Sequence, residues 1–435
     1  MQPDIGIHRA RRARLLETLG EGVLILATAT ETIRNRDAHY PYRFDSHFYY
    51  LTAFPEPEAV VVLIASRRPK QILFCREKNE EREIWDGYRQ GPKGAREAFG
   101  FDAAYPYAEL DKRLPKLLEN QPRLAYAFGA DPAWDARVMG WINAVRGRAR
   151  AGVSAPATLT DAHTLVDAMR LVKDHHEIGL MQRAADISVK AHVAAMRTCK
   201  PGKGEWEIEA ELLHTFRRHG CQAPAYTSIV AGGANACVLH YVSNDQTLKD
   251  GDLLLIDAAG EYHGYAADIT RTFPVNGRFS APQRDVYEIV LSAQLAAIAS
   301  VRPGNTFNSP HEAALKVLTQ GMVDLALLQG EVDGLMESEA YKRFYMHRTG
   351  HWLGLDVHDA GEYKQAGQWR TLEPGMALTV EPGFYIRPAD DVPEHFHNIG
   401  IRIEDDVVVT DRGCNVLTAA APKTIKDIEE AMHAR

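Results

Sequence analysis

Five residues of metal-ligand type stand in short, strongly patterned segments of the second half of the chain. They are Asp257 in LLLIDAAG, Asp268 in YAADITRTF, His351 in HRTGHWLGLDVHD, Glu381 in LTVEPGFY and Glu404 in GIRIED. Taken singly, each has an ordinary reading, because an aspartate in an apolar strand is commonly a turn former or a hydrogen-bonded polar group. Together they ask for another. Apolar strands seldom turn ionisable residues inward without partners, and four carboxylates and an imidazole in one pocket would repel until protons or cations joined them. Two divalent ions would balance the four negative charges. A ligand set of carboxylate oxygens with one imidazole and no thiolate suits Mn2+, with Co2+, Fe2+ or Zn2+ as competitors. Two such ions about 3.5 Å apart can share a hydroxide and stabilise the oxygens of a tetrahedral intermediate. That is hydrolysis without a covalent enzyme intermediate, with Glu381 placed to carry the proton to the leaving group.

Such a site needs elements that bring these residues together. LLLIDAAGEYHGYAADITRTFPV reads as an antiparallel hairpin, two apolar runs around a Gly-containing turn near 260–262, with Asp257 and Asp268 almost opposite each other. LTVEPGFYI and GIRIEDDVVVT read as a second strand pair carrying Glu381 and Glu404, so two hairpins each giving two carboxylates hint at an internal duplication. Arg402, two positions before Glu404 and on the same face of a strand, can orient a ligating carboxylate. Tyr385, just after the EPG turn, is a candidate for the wall of the substrate pocket. Helical patterns run from Asp174 to Arg197, through WEIEAELLHTFRRHG to a stop at Gly220, from Gln283 to about Leu328, and through IKDIEEAMHAR at the end.

The first part of the chain alternates apolar strand-like runs (GVLILATA, AVVVLIA, QILFC, LAYAF) with charged helix-like stretches, among them HRARRARLLETL, read as an amphipathic helix. This predicts an α/β domain over 1–155, a linker over 156–172 and an α+β domain, antiparallel sheet flanked by helices, over 173–435. At 435 residues, 45% hydrophobic and 25% charged, the chain reads as a globular protein of more than one domain. A net charge of -8 offers no basic footprint for nucleic acid or an anionic membrane. GVLILATA is too short for a membrane span. Five cysteines, Cys75, Cys199, Cys221, Cys237 and Cys414, with no CxxC pair, argue against a disulfide framework and for a reducing, cytoplasmic location.

Several longer stretches carry a family resemblance: LHY around His240, IDAAGEYHGYAADITRTFPVNG, MHRTGHWLGLDVHD, LEPGMALTVEPGFYI and GIRIEDD, with RNRDAHYPYRFDSHFYYLTAFPEPEAV and REIWDGYRQGP in the first half. On these the chain resembles, nearly end to end, the pita-bread metallopeptidases of family M24, and within them the Xaa-Pro aminopeptidase (aminopeptidase P) branch. The resemblance implies that Asp257, Asp268, His351, Glu381 and Glu404 ligate two metals, usually manganese. Asp268 and Glu404 would bridge them, Asp257 would hold one ion, and His351 and Glu381 the other. It implies that His240, His347 and His358 serve catalysis beside Glu381, and that Arg402 supports the ligands from behind. It also implies peptide substrates with proline in second position, a homodimer or homotetramer, and Asp37 and Trp85 reaching a neighbouring subunit's site. One departure is Arg348 and Thr349 between His347 and His351, where smaller or apolar residues are expected.

An Xaa-Pro bond is a tertiary amide without an N–H, so recognition must come from the shape of the ring and from donors aimed at carbonyl oxygens, a part that His240 and His358 can supply. Two alternatives stand beside this reading: a prolidase restricted to Xaa-Pro dipeptides, and a non-catalytic peptide-binding module of the same fold. The YPYRFDSHFYYLTAF stretch favours aminopeptidase P over the first, and the filled ligand positions argue against the second.

Overall fold

GVLILA and VVVLIA are buried along almost their whole length, the signature of strands covered on both faces. In the computed structural model, which describes residues 4–434, these two lie side by side at the centre of a six-stranded sheet. Its order is Ala103–Pro106, Lys70–Cys75, Val60–Ala65, Gly22–Ala27, Arg123–Tyr126, Thr158–Asp161. Gly22–Ala27 runs antiparallel to Val60–Ala65 and parallel to Arg123–Tyr126. Leu110, Leu114 and Leu118, at helical spacing, join Val138, Ile142 and Val145 of helix Pro132–Arg146 in covering the sheet.

The amphipathic helix forms over Ile5–Leu19, capped by Asp4, but it buries charge as well as leucine. Arg12 is fully buried and donates to the carbonyls of Leu51, Phe99 and Gly100, satisfying C-terminal carbonyls of the helices Ser46–Thr52 and Gly91–Phe99 that would otherwise be orphaned. The stretch read as a linker, 156–172, instead contributes the sixth strand and helix Ala162–Arg170, and the compact units divide between Met169 and Arg170. With polar surroundings and a proline, that strand lacked a strong apolar signature.

The second unit is antiparallel throughout its sheets, with helices His175–Thr198, Glu205–Arg218, Ala281–Ser300, Ser309–Asp324 and Ile425–His433. The first of these starts where Asp174 and Glu177 form a capping box. Gly220, at φ +101, follows the end of the second. The helical region expected over 283–328 holds two helices, separated at 301–308, where Pro303 and Gly304 (φ +89) cannot continue a helix.

Both strand pairs that carry the carboxylates differ from the simple hairpins expected. Leu253–Asp257 pairs with Thr270–Pro274, and Asp257 stands opposite Thr270, not Asp268. The intervening Gly260–Tyr262 is no turn: it is a strand, paired with Tyr265–Ala266 and with Ala223–Pro224 in a separate sheet, and the chain reverses at His263 and Gly264. In the second pair, Ala377–Val380 joins Asp405–Val409 while Gly383–Ile386 joins Ile399–Arg402. Pro382, having no N–H to donate, lies in the gap between the two ladders.

Candidate metal centre

These interruptions place the candidate ligands. Asp257 ends one strand and Asp268 lies two residues before its partner begins; Glu381 directly follows a strand and Glu404 directly precedes one. At strand ends the side chains need not alternate with the ladder, so all four carboxylates can turn into one cleft of about 460 Å³. Glu404 N donates to Thr270 O (3.0 Å), joining the two strand systems beside the carboxylates. His351 comes from a loop pinned to the edge of Ala377–Val380: its N–H donates to Thr379 Oγ1 (3.1 Å), its carbonyl accepts from Thr379 N (2.9 Å), and Trp352 bridges Leu378. Gly350 makes that approach possible, because a Cβ there would stand 2.1 Å from Thr379 O.

Ligand-type atoms of Asp268, His351 and Glu404 all lie within 4.8 Å of one another. His351 Nε2 is 3.4 Å from Asp268 and 3.6 Å from Glu381. Its Nδ1 lies 2.9 Å from Trp352 O, a contact that keeps the proton on Nδ1 and leaves the Nε2 lone pair for an ion. Burial, reinforced by the negative charge of Asp257, raises the Asp268 carboxyl. Burial with Asp268 and Glu381 nearby lifts Glu404 well above the carboxylate range, and burial lifts Glu381 to about 7 against the opposing pull of His351. For His351, burial is outweighed by Asp268 and Glu381, and the imidazole rises to about 9. Buried acids that resist ionising around an imidazole that holds its proton describe a site short of positive charge. Divalent cations fit that deficit and the oxygen-rich donor set.

Arg402 and Thr270 brace two of the carboxylates, Asp257 and Glu404. Arg402 is buried and donates to Asp257 Oδ2 (2.7 Å), Thr270 Oγ1 (3.1 Å) and Tyr385 OH (3.0 Å), while Thr270 Oγ1 donates to Glu404 Oε2 (2.7 Å). The guanidinium therefore orients the carboxylate across the cleft, not its sequence neighbour Glu404. Tyr385, expected on the pocket wall, is instead buried at 1% exposure, its hydroxyl between Arg402 and His347 Nε2 (2.8 Å). His347 Nδ1 contacts Arg348 O (2.7 Å), and burial, with Arg402 nearby, lowers this imidazole to about 3, so it is a neutral acceptor for Tyr385. His358 is exposed on the cleft, its ring 4.4 Å from that of His351, and His240 enters from the opposite loop. Arg348 lines the cleft beside them, whereas Thr349 is buried, bonded to Tyr345 and His311.

Two contributors carried no sequence signal that singled them out. Tyr226, in APAYTS, places its hydroxyl 2.5 Å from both Asp257 and Asp268, and burial together with those charges pushes the phenol well above its usual range. One hydroxyl proton cannot serve two carboxylates, a further mark of missing positive charge. Asp406, the third acid of the IEDD run, is buried and accepts the backbone N–H of Asp268 at 3.0 and 3.2 Å.

Comparison with known proteins gives the family. The profile of metallopeptidase family M24 matches residues 179–411, and that of the aminopeptidase P N-terminal domain matches residues 8–126. An Xaa-Pro aminopeptidase of Haemophilus influenzae is 45% identical over 425 residues, covering 97% of this chain and 96% of that protein. Aminopeptidase PepP of Pseudomonas aeruginosa superposes with a TM-score of 0.98 at 51% identity, covering 100% of this chain and 99% of that one. A zinc-substituted Escherichia coli aminopeptidase P in complex with product gives a TM-score of 0.97 at 42% identity, with coverage of 100% and 99%. The first unit is thus an α/β N-terminal domain and the second an α+β pita-bread catalytic domain. With a family profile across more than half its length and close relatives aligned over nearly all of it, the chain belongs to metallopeptidase family M24, in the aminopeptidase P branch.

Proposed function

We propose that the protein is a metalloaminopeptidase that removes the N-terminal residue from peptides whose second residue is proline. The observation that carries this is the convergence of four strand-end carboxylates and His351 on one cleft, in a chain related over its whole length to Xaa-Pro aminopeptidases. Asp257, Asp268, His351, Glu381 and Glu404 would hold two divalent ions, for which Mn2+ suits the oxygen-rich donor set. Bound there, the ions supply Lewis acidity that activates water and stabilises negative charge on oxygen.

The chain's own residues do the rest. Glu381, which lines the cleft beside His351, carries the water's proton to the proline nitrogen as the C–N bond breaks. His240 and His358, exposed on the cleft, donate to carbonyl oxygens of the substrate. Arg402 fixes Asp257, and Tyr385 and the neutral His347 hold Arg402 in turn. Leu239, Val242 and Val357 give the cleft an apolar wall for a ring that offers no N–H.

In this reading the protein acts as a homodimer or homotetramer, and Trp85, 80% exposed on a helix with no buried residue, reaches with Asp37 towards a neighbouring subunit's cleft. Five free thiols support a reducing compartment, the cytoplasm. The test is substrate length. Manganese-loaded protein should cleave an Xaa-Pro-Xaa tripeptide; cleavage of an Xaa-Pro dipeptide with the tripeptide left intact would make it a prolidase instead.

A further inference from the structure

His240 reaches the cleft from the segment 238–246, which has no strand or regular helix of its own. Its imidazole therefore stands wherever the two anchors of this segment put it. One anchor is Asn244, buried and at φ +47, whose side chain accepts from Val230 N (3.0 Å) and donates to Ser228 O (2.9 Å). The other is Glu205, a carboxylate with no exposed surface at the first position of helix Glu205–Arg218. Its Oε1 accepts from Gly232 N (2.8 Å) and Asn235 Nδ2 (3.1 Å); its Oε2 accepts from Tyr241 OH (2.8 Å) and Gln246 N (2.9 Å). Glu205 N also donates to Gln246 O (2.9 Å), so one residue brackets the segment on both sides of His240.

A fully buried carboxylate is costly unless its acceptor sites are filled, and here four donors fill them at the positive end of a helix. Two of those donors, Tyr241 and Gln246, belong to the His240 segment, and Tyr241 is its immediate neighbour. The other two fix the strand Ile229–Gly232 and the turn that leads into the segment. A glutamine has the same outline but turns an NH2 towards two of the donors.

We infer that Glu205 is a positioning residue, which sets the place of the His240 imidazole in the cleft without touching substrate. The inference rests on the reading of His240 as a substrate-contacting group. Kinetics and NMR together test it, with Glu205→Gln, Tyr241→Phe, His240→Ala and the Glu205→Gln/His240→Ala double variant, all manganese-loaded for kinetics. Glu205→Gln should lower kcat/KM for an Xaa-Pro-Xaa tripeptide about tenfold, chiefly through KM, with the metal content unchanged. Tyr241→Phe, which removes a hydroxyl shared between Glu205 Oε2 (2.8 Å) and Asp245 Oδ1 (3.2 Å) but leaves the other three donors to Glu205, should show a smaller effect of the same kind. The double variant should be no worse than His240→Ala, because the same group has already been lost. Multiplying effects in the double variant, or wild-type kinetics in both Glu205→Gln and Tyr241→Phe where His240→Ala is impaired, would overturn the inference.

The imidazole resonance of His240, assigned by its absence in His240→Ala and followed in zinc-loaded, diamagnetic protein, reports position directly. It should shift in Glu205→Gln and Tyr241→Phe, and an unmoved resonance overturns the inference even where Glu205→Gln fails to fold and Tyr241→Phe alone is measured. His240→Ala with wild-type kinetics but a moved resonance in Tyr241→Phe would refute the role given to His240 and leave the positioning intact.

Discussion

Asp359 offers a measurable handle on the loop that carries His351 and His358. Its carboxylate is 1% exposed and accepts from Arg170 (2.5 Å) and Lys173 (2.8 Å), both equally buried, while Asp356 shares Arg170 from a more open position. Asp359 N donates to Trp352 O, and Asp356 N donates back to Asp359 Oδ1, so the charge cluster also closes the loop on itself. Asp359→Asn keeps the shape and one acceptor oxygen but removes the negative charge, so Lys173, whose other acceptor is the Leu171 carbonyl at 3.4 Å, loses its carboxylate partner. Removing one partner of a buried ion pair costs about 3–5 kcal/mol, and because Asp356 still compensates Arg170, a value near 3 is expected. For a unit of this size that corresponds to a fall in Tm of roughly 6–12 °C.

The same carboxylate gives a pH signature. Burial opposes its ionisation, but Lys173 and Arg170 outweigh it and hold the folded carboxyl below its ordinary value. A group depressed on folding adds stability above its unfolded pKa, about 4, and loses that contribution as pH falls through the folded value. Wild-type protein should therefore lose stability below about pH 4 more steeply than Asp359→Asn. Thermal scans at several pH values make the comparison. Adding Lys173→Met to Asp359→Asn should recover at least about 1 kcal/mol by removing the uncompensated charge. A Tm change under about 2 °C for Asp359→Asn, or no recovery in the double variant, would refute the reasoning.

Three further outcomes follow from the site. Asp268→Ala or Glu404→Ala should abolish metal retention and activity together, whereas His358→Ala should depress turnover with metals still bound; calorimetry and tripeptide assays separate the two, and metal loss in His358→Ala would contradict its assigned place. Arg402→Lys, which cannot reach Asp257, Thr270 and Tyr385 at once, should lower kcat/KM or metal affinity roughly 10–100-fold, with thermal scans checking that the fold survives. Gly350→Ala drives a methyl group into the Thr379 carbonyl and so should displace His351, seen as metal affinity reduced at least about tenfold.

Residue type revealed more of this protein than residue pattern did. The five proposed ligands and Arg402 declared themselves as ionisable groups in apolar segments, and the structure brings all of them to one cleft. Register did not show. Alternation along IDAAGEYHGYAADIT cannot reveal that Gly260–Tyr262 leaves to pair in a second sheet, because small residues fit either face. The helical region over 283–328 was legible as such, and Pro303 and Gly304 divide it into two helices. Arg12 could not be placed from its charge, since the three carbonyls that solvate it come from segments distant in sequence. Tyr226 is silent for the same reason: nothing in APAYTS shows that two aspartates 31 and 42 residues later will meet its hydroxyl.

The most direct test is a manganese titration of metal-free protein by calorimetry, with tripeptide hydrolysis followed in parallel. Two ions bound per chain, with hydrolysis appearing as they bind and vanishing on chelation, is the predicted result. Fewer than one ion per chain, or hydrolysis that persists without metal, would contradict the account.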